Sequence, residues 1–300
     1  MKTNFEMLER LAGKAKNNSF SLIVAAAHDE EVIIAIKHAL QYLSLQLTLI
    51  GNETEIEKLI IKHNITANII HEIDLIEIGK KTIALSKKLP NPIIMKGLID
   101  TKFLLKAVVD SVNGIKDAKL LSHVSILSYP LLNKTLIMTD GGMNINPSVD
   151  EKWLLIENAW KVAKKIGIAM PKIGLVSAVE KINPKIVSTT DAEILVNKYR
   201  TDKNKYDFIL DGPFAIDNLV SLESVKHKNI NSDVAGHADI LIFPELVSGN
   251  VFYKTSMFLS NANSASVVVG AKCPIIVTSR ADSSQTKLNS IILGAILVCA

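Results

Sequence analysis

The chain has 300 residues, of which 48% are hydrophobic and 21% charged, with a formal net charge of +4. That is enough apolar material for one large or two ordinary α/β domains. The basic residues are scattered lysines with little aromatic interleaving, which argues against a nucleic-acid partner, and no apolar run reaches the roughly 18–20 residues of a membrane span.

In chain order, residues 1–10 have the pattern of an amphipathic helix without a signal core. Short apolar runs then alternate with longer segments of 3.6-residue period. Strands are expected at Leu22–Ala26, Leu47–Ile50, Ile93–Met95, Val124–Leu127, Leu136–Met138, Ile173–Val176, Phe208–Leu210, Ile240–Phe243, Val267–Val269 and Ile275–Val277. Helices are expected at Glu30–Leu43, Glu53–His63, Asp74–Lys88, Thr101–Ser111, Asp150–Ile166, Thr190–Asn197 and Asn250–Leu259, with another beginning beyond Ser283. This alternation predicts an α/β protein with largely parallel sheets. Cys273 and Cys299 are the only cysteines; they suit neither a metal site nor a disulfide framework, so a reducing, cytoplasmic setting and no metal are expected. Cys273, beside Pro274, reads as a buried structural thiol.

Parallel sheets place ligands at the carboxyl ends of their strands. The residues there are His28-Asp29, Lys96-Gly97, Asp140-Gly141-Gly142, Ser177, Asp211-Gly212-Pro213, Pro244-Glu245, Gly270 and Ser279-Arg280. The last pair stands out, because only Arg10, Arg200 and Arg280 among 34 basic residues are arginines. A planar, permanently charged fork at the mouth of a buried strand suits phosphate or carboxylate. Ser279, Arg280 and Asp282 can form an anion and oxyanion site in front of a helix N-terminus. Equally, Asp282 or Ser283 can be an ordinary N-cap. Asp140 and Asp211 are open to two readings each, site carboxylate or turn former, and turn chemistry is the stronger for Asp140. Lys96 can hold a phosphate as a point charge. Ser122 and His123 are strand neighbours that point to opposite faces, a poor nucleophile–base pair. No Gly-x-Gly-x-x-Gly follows the first strand and no P-loop occurs, so a dinucleotide or P-loop site is not expected.

Together these landmarks resemble the phosphate acetyl/butyryl transferase family. The residues that carry the resemblance are Asp211-Gly-Pro-Phe-Ala-Ile-Asp217-Asn218, Ala235-Gly-His-Ala-Asp239 through Pro244-Glu245 to Gly249-Asn250-Val-Phe-Tyr-Lys254, Val269-Gly-Ala-Lys-Cys-Pro274 and Thr278-Ser-Arg-Ala-Asp-Ser283. Upstream, Met95-Lys-Gly97, Leu121-Ser-His-Val124, Thr139-Asp-Gly-Gly-Met-Asn144 and Ser177-Ala-Val-Glu-Lys-Ile-Asn-Pro184 are similar to the butyryltransferase branch.

The resemblance implies a two-domain α/β fold like isocitrate and isopropylmalate dehydrogenases, with an interdomain cleft. Domain one would be residues 1–133 plus 279–300 and domain two residues 134–278, in a homodimer. It implies reversible transfer of a short acyl group, butyryl before acetyl, between CoA and inorganic phosphate, giving an acyl phosphate. CoA is then a substrate, and no cofactor is tightly bound. A phosphate acetyltransferase and a non-catalytic member that binds CoA or phosphate are the alternatives; a dehydrogenase is disfavoured by the few arginines. Ser279 would donate to the oxyanion and Arg280 hold the phosphoryl group. Lys96, Ser122, Asp140, Asp211, Asn250 and Lys254 would contact substrate. In phosphate acetyltransferases a carboxylate at the following helix start is the base for the CoA thiol. Ser284, Gln285 and Thr286 are not acidic, which leaves Asp282 as the provisional base.

Overall fold

A computed structural model describes residues 17–279 and 281–299, together with Leu8, Ala12, Gly13 and Ala15. The helix expected over residues 1–10, Leu8 apart, and the candidate Arg280 lie outside the described residues. In chain order the elements are β1 (Ser19–Ala25), α1 (Glu30–Ala39), β2 (Ser44–Gly51), α2 (Glu53–His63), β3 (Asn68–His71), α3 (Leu75–Ser86), β4 (Pro92–Lys96), α4 (Thr101–Val108), β5 (Ser122–Tyr129) and β6 (Lys134–Thr139). Then follow α5 (Val149–Lys165), β7 (Lys172–Val176), α6 (Val187–Asp202), β8 (Ile209–Phe214), α7 (Ile216–Val220), α8 (Leu222–His227), β9 (Ile240–Ile242), α9 (Leu246–Leu259), β10 (Asn263–Val269), β11 (Ile275–Ile276) and α10 (Ser284–Val298). The fold is mixed α/β.

Helix starts follow the sequence chemistry. Asp29, Asn52 and Asp74 cap α1, α2 and α3 with side-chain oxygens, and Ser148 with Glu151 forms a reciprocal capping box on α5. Each cap satisfies N–H groups that the first turn leaves without partners. Asn64 closes α2 in the left-handed conformation, a position asparagine tolerates.

The chain divides into two compact units, Met1–Leu121 with Asn263–Ala300, and Ser122–Ala262. Both cuts fall earlier than the domain boundaries drawn from the resemblance. A cut at 133 would separate β5 from its antiparallel partner β6, and one at 278 would part β11 from β4, paired at Ile276 and Met95.

In the first unit the strands run in the order β3-β2-β1-β4-β11-β10, parallel except for β10 against β11. Helix α10 packs on α1, β10 and β4. It is buried almost all round, through Leu288, Ile291, Ile292, Leu293, Ala295 and Ile296, as expected of a helix apolar on every face. In the second unit the order is β5-β6-β9-β7-β8, with only β5–β6 antiparallel. No helix among the described residues is long and apolar enough to cross a membrane. Cys273 is buried and Cys299 exposed.

Candidate functional site

The Ser279 segment belongs to the first unit. Ile276 of β11 pairs in parallel with Met95 of β4, so the chain beyond β11 and Lys96 leave the sheet at the same, carboxyl end. Lys96 is buried, and its ammonium donates to the Gly97 carbonyl at 3.3 Å. Gly97 is required here: a Cβ would lie 2.1 Å from the Ala26 carbonyl oxygen. The peptide instead docks on β1, with Gly97 N–H and Leu98 N–H donating to the carbonyls of Ala25 and Ala26.

The Ser279–Ser283 loop is clamped from inside. Ser279 N–H donates to Asp282 Oδ2 at 2.7 Å and Asp282 N–H returns a bond to the Ser279 carbonyl at 3.1 Å. The Ser279 hydroxyl oxygen accepts from Ala281 N–H at 3.3 Å, while the residue itself is exposed. Asp282 is buried and is not the N-cap; that role falls to Ser283, whose hydroxyl accepts from Thr286 N–H. Behind the loop, Lys287 is only 2% exposed and its ammonium donates to the Asp282 carbonyl at 2.6 Å. Across from it, Glu31 of α1 accepts from Ser284 N–H at 3.0 Å. Sequence reading missed both Lys287 and Glu31. A lysine inside an apolar helical run is a usable signal; a glutamate 253 residues away gives none.

In the second unit Asp140 is 2% exposed and fully engaged. Oδ1 accepts from Gly142 N–H at 2.7 Å and Met143 N–H at 2.8 Å; Oδ2 accepts from His123 N–H at 3.0 Å and Asn144 Nδ2 at 2.6 Å. The carboxylate therefore shapes the Gly141–Asn144 loop. Asn250 docks on that loop, donating to the Gly141 carbonyl at 3.0 Å. Gly249 permits this approach, since a Cβ there would meet the Asp140 carbonyl oxygen at 2.4 Å. Ser122 is fully buried, and its hydroxyl accepts from Asn158 Nδ2 at 2.7 Å. Its neighbour His123 points the other way, its ring against Gly142.

Of the two readings open for Asp211-Gly-Pro, the tight turn is not what forms. These residues lie inside β8, which runs on to Phe214, and Asp211 faces Arg200 at 3.4 Å. Asp217 is held by the Ser224 hydroxyl and, at 3.1 Å, by Lys228, which together keep its carboxyl below the usual range. Asp239 accepts from Lys172 N–H at 2.8 Å, and burial pushes its carboxyl up. Lys254 sits over the rings of Tyr253 and Phe258 at 5.6 and 5.8 Å.

The structure thus joins Ser279 to Asp282 in one loop, at the same sheet end as Lys96, in the first unit, and sets Asn250 on the loop that Asp140 shapes in the second. A cavity of about 690 Å³ in the second unit takes in the strand-end residues Pro244 and Glu245; it is also lined by Asn146, Ser148, Lys152, Ser188 and Asp191. Lys152 and Asp191 form an ion pair there, at 2.5 Å, with side chains 7% and 16% exposed.

An α/β protein with a serine-bearing loop before a helix N-terminus is the class the geometry defines. Comparison with known proteins narrows it. Residues 91–295 match the phosphate acetyl/butaryl transferase family, and the chain belongs to that family. A probable phosphate butyryltransferase of Bacillus subtilis (strain 168) is 38% identical over 297 residues, 98% of this chain and 97% of its own. A phosphate acetyltransferase of Thermotoga maritima is also 38% identical, over 96% of this chain and 99% of its own. The crystal structure of a branched-chain phosphotransacylase from Enterococcus faecalis V583 superposes with a TM-score of 0.85 at 30% identity, covering 93% of this chain and 99% of the other.

Proposed function

We propose that the chain transfers a short acyl group reversibly between CoA and inorganic phosphate, with butyryl preferred over acetyl. The observation that carries this is near-full-length identity to relatives named for that chemistry. The two named above are equally similar, so the chain-length preference rests on the upstream Lys96-Gly97 and Asp140–Asn144 motifs.

The chemistry requires donors aimed at the carbonyl oxygen as it gains charge, and a held phosphate beside it. The exposed Ser279 hydroxyl is the oxyanion donor, Arg280 the phosphate ligand, and Lys96 a second positive charge at the same strand ends. Asp140, Ser122 and Asp211 shape the second unit's loops and strands, with Asn250 and Lys254 as its substrate contacts. The proposal includes a cytoplasmic location, two domains arranged as in isocitrate and isopropylmalate dehydrogenases, and a homodimer. Exposed Val247, Val251, Phe258 and Leu259 on α9 support the dimer, which sedimentation at micromolar concentration measures.

Phosphate-dependent CoA release from butyryl-CoA and acetyl-CoA tests the activity. Turnover is expected with both and faster with butyryl-CoA. No turnover with any short acyl-CoA defeats the proposal; binding of CoA without turnover favours a non-catalytic member. Arg280→Ala should lower turnover about 10²-fold, as loss of one oxyanion donor does; near-wild-type turnover refutes its role.

A further inference from the structure

In the direction that makes acyl-CoA, the CoA sulfur attacks the carbonyl carbon of an acyl phosphate. The thiol has a pKa of about 8.5, so its proton must leave as the bond forms. The base has to stand beside the Ser279–Ser283 loop. Asp282 is badly placed for this: it is buried, and Oδ2 is committed to Ser279 N–H. The first turn of α10 supplies no acid of its own, being Ser284, Gln285 and Thr286.

A carboxylate is nevertheless present at that helix start, supplied by another element. Glu31 Oε2 accepts from the N–H of Ser284, the first residue of α10, at 3.0 Å. The start of α1 is itself fixed, because Glu31 N–H donates to the capping Asp29 at 3.0 Å. Glu31 is exposed while Ser284 is buried, so the carboxylate lies at the accessible edge of the loop. Helix α10 runs for 15 residues behind it.

We propose that Glu31 is the general base toward the CoA thiol, an assignment that rests on the acyl-transfer reading above. Oε2 stays with Ser284 N–H and Oε1 takes the proton as sulfur bonds to the carbonyl carbon. The carbon–oxygen bond to phosphate then breaks, and inorganic phosphate leaves with the electron pair. In the reverse direction the protonated carboxyl returns its proton to the departing thiolate. The charged groups around Glu31 are Asp29 and Glu30 on its own turn, with Glu30 held by Lys62 and His63 of α2. On the α10 side, among the described residues, Asp282 and Lys287 belong to the same helix start that Glu31 joins at Ser284.

Glu31→Gln is the discriminating variant, because an amide oxygen can still accept from Ser284 N–H while the basicity is gone. With butyryl phosphate and CoA, kcat should fall about 10²-fold or more with little change in the KM for CoA. Its rate should climb with pH toward the thiol pKa of about 8.5, where wild type is flat. Glu31→Asp, which keeps a carboxylate, should recover at least a tenth of the lost rate. A Glu31→Gln rate within about threefold of wild type overturns the assignment. So does a lower rate with an unchanged pH profile, which marks a positioning role through α10. A wild-type chain that turns over no short acyl substrate defeats the acyl-transfer reading itself, and the assignment with it.

Discussion

Replacing Asp140 with asparagine is the sharpest structural test in the second unit. The side chain keeps its shape but has one oxygen instead of two. That oxygen can retain the pair of N–H groups from Gly142 and Met143. The amide nitrogen then faces two donors, His123 N–H and Asn144 Nδ2, and can accept from neither. A hydrogen bond to a charged group contributes about 1.5–3 kcal/mol, so two of them amount to about 3–6 kcal/mol. The half-buried Asn144 amide can turn toward water, which brings the net loss to about 2–4 kcal/mol. For a unit of this size, about 2–4 °C of melting temperature accompanies each kcal/mol. Scanning calorimetry should therefore show a drop of about 5–15 °C. Asn250→Ala, which removes one neutral bond to the Gly141 carbonyl at an exposed position, should cost no more than about 1.5 kcal/mol. An Asp140→Asn protein that melts within about 2 °C of wild type would refute the view that this carboxylate builds the loop.

Burial pushes the Cys273 thiol up to about 12, against a weaker opposing bond from Ser86. At pH 8 a thiol reagent should label Cys299 and leave Cys273 intact until unfolding; equal labelling rates would contradict this. Because the folded value lies above the unfolded value of about 8.5, this thiol's contribution is complete below that pH and is lost as pH rises toward 12. Glu72 shows the opposite sign. Lys81 and the N–H groups of Asp74 and Ile73 lower its carboxyl to about 2. Its contribution is present above the unfolded value of about 4.3 and is lost as pH falls toward 2. A carboxyl titration by NMR should put its midpoint near 2 in wild type, and higher in Lys81→Met. Asp191→Asn strands the Lys152 ammonium inside the second unit, at an expected cost of about 3–5 kcal/mol. Adding Lys152→Met should recover part of that loss in denaturant melts, and a stable single variant would argue against the pair.

Much of the fold is legible in local pattern. The apolar runs that become β1, β4, β6 and β7 are short, β-branched and bounded by polar residues, and the α2 span follows from period and caps alone. Strand β3 escaped because none of its four residues is buried, so no core face marks it. A turn at Asp211 is one open reading of the sequence because glycine and proline usually end strands, whereas here they are carried inside β8. At the site, sequence spacing locates Ser279 and Asp282 on one loop but cannot tell a clamp from a base. The pairing of Asp282 with Ser279 N–H is visible only in the fold. The partners contributed by distant elements, Asn250 to Gly141 and Glu31 to Ser284, depend wholly on tertiary packing.

The division of the chain has a consequence for the order in which a ribosome completes this protein. The second unit, Ser122–Ala262, is continuous, and every strand of its sheet has been synthesised before Asn263 emerges. The first unit begins before the second yet finishes after it, since β10, β11 and α10 all come from residues 263 onward. Until they arrive, β4 lacks its neighbour β11 and α1 lacks the apolar helix that covers it. The loop bearing Ser279 is thus made only after the second unit is whole. A chain released early at Ala262 would hold an intact second unit, no Ser279 and a first unit with an open sheet edge, the kind of surface that chaperones and proteases recognise.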